Sequence, residues 1–148
     1  MKSNDVTGRF SHGEVGIGID IGRPGLGASM RDIDLFTRRL ANAEVFFSDD
    51  NPVTFLLEDR TTGAIQKEVL DERVLSAVIE IKVPVEKLSG VLSLLKGLAT
   101  ETRTVFSVGL ISRLKEDGSI PALRIAEEEG FPVQPSAKLN VGLGRRGS

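Results

Sequence analysis

Glu14-Val15-Gly16-Ile17-Gly18-Ile19-Asp20-Ile21-Gly22 sets an aliphatic side chain at every second residue, with glycine or aspartate between. A period of two is that of a β-strand, here with one apolar face and one nearly bare face that something must approach closely. The tract Gly22-Arg23-Pro24-Gly25-Leu26-Gly27-Ala28 breaks the period, and Ser29 with Asp32 resembles a capping box in which Asp stands for the usual Glu or Gln. A helix is expected from about Met30. Its stripe is Met30, Ile33, Phe36, Leu40 and Ala41, with Arg31, Asp34, Arg38 and Arg39 off it and Leu35 alone outside the pattern.

Downstream, Ala43 to Phe47 and Val53 to Leu57 are short runs of β-formers separated by Ser48-Asp49-Asp50-Asn51-Pro52, which predicts a hairpin closed off by Asp59 to Gly63. Residues 64–75 carry a mixed pattern, read as a second hairpin arm running into a short helix. Val78 to Val83 restarts the pattern as a strand, Pro84 suits a first helical turn, and Val85, Leu88, Val91, Leu92, Leu95 and Ala99 form a clean helical stripe. Thr102 to Leu114 reads as a long strand and Glu116 to Ser119 as a turn. Ile120 to Ile125 reads as a returning strand, Glu127 to Pro135 as a loop, and Lys138 to Gly144 as a last strand.

The halves align as an internal repeat, 14–63 against 76–126, with Ile19-Asp20-Ile21 answering Ile79-Glu80-Ile81. Any two strand-helix-strand units look similar at this level, so duplication stays open. Either way the pattern predicts an α+β, ferredoxin-like fold: two β-α-β-β units with helices on one face of a mostly antiparallel sheet. Residues 1–13 are expected to be a flexible N-terminal segment, 14–144 a single domain and 145–148 a loose tail.

The chain has 148 residues, no cysteine and one histidine, His12, so disulfides, thiolate chemistry and Cys-based metal sites are excluded. A triad or His-rich metal centre would have to use His12. Nineteen basic and 21 acidic residues are interspersed to a net charge of -2, and Trp and Tyr are absent. Neither a phosphate-backbone surface nor a base-stacking platform is expected, so no nucleic-acid partner is predicted. No run of about eighteen apolar residues occurs, so the expectation is a cytoplasmic protein without membrane contact.

Seven of the sixteen glycines fall between Gly8 and Gly27. Strand, glycine loop and helix start together make an anion-binding geometry, because free helix amides and the dipole's positive end point at the loop. The expected ligand site is Gly22, Arg23, Gly25, Gly27, Ser29 and Arg31. Amides around Gly25 to Ser29 would hold a phosphate or carboxylate, with Arg23 as a clamp. The competing reading gives these glycines to tight packing. Asp20, on the bare face beside the loop, is the candidate catalytic residue. No metal site or cofactor is expected: the acidic clusters at Asp49-Asp50, Glu58-Asp59 and Glu127 to Glu129 lack a calcium-loop spacing.

The pentamer Gly16-Ile17-Gly18-Ile19-Asp20 resembles the start of holo-acyl-carrier-protein synthases, a likeness that implies a magnesium-holding role for Asp20. That family's helical Lys-Glu-Ala segment has no counterpart here, and its activity is not carried over. Ile19-Asp20-Ile21-Gly22 likewise looks like the first phosphate loop of sugar kinases, whose two-lobed fold needs a longer chain and a second phosphate motif. The functional expectation is a homo-oligomeric module binding a small anionic ligand at residues 22–29. The alternatives are a small enzyme using Asp20, Arg23 and Ser29, and a purely structural assembly protein.

Overall fold

A computed structural model describes residues 8–133. The expected strand 138–144, the tail 145–148 and residues 1–7 lie outside the described residues. The first strand, β1 (Glu14–Ile21), is followed by a two-residue strand β2 (Ala28–Ser29) and helix α1 (Met30–Asn42). Next come β3 (Phe46–Phe47), the short helix α2 (Pro52–Phe55), β4 (Leu57–Asp59), β5 (Ala64–Ile65), a 3-10 turn over Lys67–Val69 and β6 (Arg73–Val74). The second half holds β7 (Ala77–Pro84), a 3-10 turn over Val85–Lys87, α3 (Leu88–Glu101), β8 (Phe106–Ser112) and α4 (Pro121–Glu128).

The fold is α+β. Its main sheet has four strands in the order β3-β7-β1-β8, and every neighbouring pair is antiparallel. Alternation in β1 decides its place at the centre. Val15, Ile17, Ile19 and Ile21 join Ile79, Ile81 and Val83 of β7 in one buried cluster with Ile33, Phe36 and Leu40 of α1 and Leu88, Leu92 and Leu95 of α3. Phe36 meets Phe106 of β8 edge-on at 5.0 Å, tying α1 to the outer strand. On the opposite face, the bare strand is covered as its composition demands. A Cβ on Gly16 would fall 2.3 Å from the Phe10 ring, which is itself buried.

Three sequence expectations are corrected. The hairpin of 43–47 with 53–57 does not form: β3 is two residues long and pairs with β7, while residues 52–55 make a helical turn. The cause is Asn51, whose side chain accepts from Val53 N–H at 2.9 Å and donates to the Val78 carbonyl at 2.8 Å, with Pro52 prearranged for a first helical turn. The hairpin appears one step later, between β4 and β5. The long strand 102–114 is confined to Phe106–Ser112, because Thr102 closes α3 by bonding the Leu98 carbonyl through both its N–H and its hydroxyl.

The returning strand 120–125 is instead α4, which extends to Glu128 and so takes Glu127 and Glu128 from the expected loop. Pro121 again stands at a helix start, and Ala122 and Ala126 bury against α3. Neither half therefore contributes the second returning strand of a β-α-β-β unit to the main sheet. Each does keep its β-α-β part. In α3 the stripe ends on Leu98, with Ala99 exposed. Among the described residues no helix is long and apolar enough to cross a membrane.

Candidate functional site

After β1 the chain turns sharply. Gly22 donates its N–H to Val105 O, and a Cβ there would sit 2.7 Å from Leu75 O. Arg23 and Gly27 exchange backbone hydrogen bonds of 3.1 and 2.8 Å, and Leu26 N–H also reaches Arg23 O at 3.0 Å, so the loop closes on itself. Gly27 has a left-handed φ of 72°, and a Cβ there would meet Val74 O at 2.0 Å. That close approach lets Ala28–Ser29 pair with Arg73–Val74. Gly25 is also left-handed but looks into open space.

Ser29 caps α1 by accepting from Asp32 N–H at 3.1 Å, while its hydroxyl donates to Asp32 Oδ2 at 2.6 Å. Met30 N–H is taken by Glu72 O. Most of the amides that the sequence offered to an anion are thus already bonded inside the protein, and Asp32 brings its own carboxylate to the positive end of the helix.

Beside this turn lies a cavity of about 270 Å³ whose charged lining is Arg23, Arg73, Arg103 and Asp32. Its other walls include Leu26, Gly27, Ser29 and Thr104. All three arginines are exposed. Arg73 Nη2 donates to Leu26 O at 2.8 Å and Arg23 Nη2 to Arg103 O at 3.4 Å. Among the described residues Arg103's own guanidinium makes no hydrogen bond or ion pair. Three arginines thus line the cavity with one carboxylate, which is already engaged by Ser29.

Of the expected site residues, Arg23, Gly27 and Ser29 line the cavity. Gly22, Gly25 and Arg31 do not, and Arg31 is paired with Asp71 at 2.5 Å. Asp20 is exposed at the end of β1 opposite Val78 and Ser107, outside the cavity. Among the described residues no group of three or more His, Cys, Asp or Glu side chains could hold a metal ion. Arg73 and Arg103 were missed from sequence, since they come from the unperiodic stretch 64–75 and from a run that reads as strand. Only the β2–β6 pairing and the return of the chain after α3 bring them to the loop. No protein-family model, curated protein or solved structure matches the chain.

Proposed function

We propose that the chain is a self-associating module that binds a small anionic ligand, a phosphate or carboxylate, between the 22–29 loop and Arg103. The observation that carries this reading is the charge balance of the cavity lining, three arginines against one aspartate whose carboxylate is committed to a helix cap. Planar guanidinium forks suit carboxylate and phosphate oxygens, and among the described residues none occupies the Arg103 donors. At about 270 Å³ the space suits an inorganic anion or the head of a small metabolite rather than a dinucleotide. Gly22 and Gly27 serve packing, and the arginines supply the recognition. The ferredoxin-like reading of the fold belongs here too, supported by two β-α-β units and by the strand order β3-β7-β1-β8.

A thermal-shift titration with inorganic phosphate, a phosphomonoester and citrate tests the site. Saturation near a hundredfold the dissociation constant adds about 2.7 kcal/mol to stability, a rise of several degrees in midpoint for a domain of this size. Arg103→Ala removes no bond to any of the described residues, so it is expected to keep the ligand-free midpoint and to lose most of the rise. If no anion moves the wild-type midpoint, or the variant responds equally, the reading fails.

A further inference from the structure

Among the described residues β8 is paired on one side only, its ladder to β1 running from Val15↔Ser112 to Ile21↔Phe106 without a register shift. Every second residue of such a strand turns its N–H and C=O outward, a template for another strand. Natural edges are usually blunted by charge, proline, a bulge or shortness. Phe106-Ser107-Val108-Gly109-Leu110-Ile111-Ser112 has none of these over its seven residues, and none of them is fully buried. The β3 margin, at two residues, is blunted by length.

We propose that β8 pairs antiparallel with β8 of a second copy about a two-fold axis at Gly109, merging the two main sheets into one. The proposal rests on the self-association in the reading above and names its surface. A second copy is the occupant because the strand is complementary to itself in this register. Val108 meets Leu110 of the second copy on the side that faces the core, where Phe106 likewise meets the small Ser112. On the other side Ile111 meets the small Ser107, and Gly109 meets its own equivalent. Each bulky side chain faces a small or matching one, and no like charges oppose each other across the seam. Such an interface is isologous and closed by its own symmetry.

Solution mass from sedimentation equilibrium, with circular dichroism as the check on folding, tests the pairing in three proteins. Wild type is expected at twice the chain mass. Ser107→Lys combined with Ile111→Lys sets lysine against lysine twice across the axis and is expected to halve the mass while the dichroism spectrum is kept. Ser107→Lys combined with Ile111→Glu sets lysine against glutamate twice and is expected to restore the doubled mass at low salt. A wild type of single-chain mass overturns both this pairing and the self-association behind it. A doubled mass in all three proteins overturns the β8 seam and leaves self-association standing, and single-chain mass in both variants overturns the register at Gly109. The phosphate response, read through Arg103, is independent of all three results.

Discussion

Gly27 and Gly25 sit two residues apart in the same turn with nearly the same left-handed φ, 72° and 77°, yet only Gly27 touches a neighbour. A side chain at either position meets the intrinsic cost of that conformation, about 1–2 kcal/mol. At Gly27 it also drives a methyl into the Val74 carbonyl, which the β2–β6 pairing holds in place. Gly25→Ala is therefore expected to cost about 1 kcal/mol and Gly27→Ala about 3 kcal/mol or more. Urea unfolding followed by circular dichroism measures both, a suitable probe in a chain without Trp or Tyr. Equal losses would mean that contact with β6 adds nothing. The same pair shows what the glycine density builds: where the sequence offered a cradle of free amides, the structure has a turn whose amides are mostly used internally.

Long periodic elements were legible because their signal is repeated. β1, α1, β7 and α3 each carry four or more apolar residues at one spacing, and each stands within a few residues of where the pattern puts it. Short helices were not, because their starts are written in residues that also make turns. Asn51-Pro52 and Ile120-Pro121 read as hairpin punctuation and as a weakened strand, whereas in the fold each proline opens a helix. Which use prevails depends on distant partners, the Val78 carbonyl for Asn51 and α3 for Ala122 and Ala126. The cavity arginines were hidden for the same reason. Asn51→Ala removes a cap worth about 1 kcal/mol and leaves the Val78 carbonyl without its donor, at a further 1 kcal/mol or so. The expected loss is about 2 kcal/mol in the same unfolding assay, and a loss below half of that would deny the tether its role.

At the scale of the whole molecule, the Glu14 carboxylate helps to stitch the segment before β1 to the sheet. Glu14 accepts from Ser11 N–H at 2.7 Å and pairs with Lys82 of β7 at 3.0 Å. The Ser11 amide first, and then Lys82, hold its pKa below the usual value of 4.5. A carboxyl group depressed by folding contributes stability that is full above its unfolded pKa and is lost as pH falls through the folded one. Wild type is thus expected to lose stability on acidification below about pH 4.5. Glu14→Gln is expected to be less stable at neutral pH and to show a shallower acid limb, as read from urea midpoints across pH; parallel limbs would remove Glu14 from the acid response. The two borders of the sheet have a different consequence. Among the described residues the main sheet has one margin long enough to accept a strand and a two-residue margin on the far side, so the edge pairing proposed above would use up that border at the first encounter. Growth by that route ends with a pair and offers no path to a fibre.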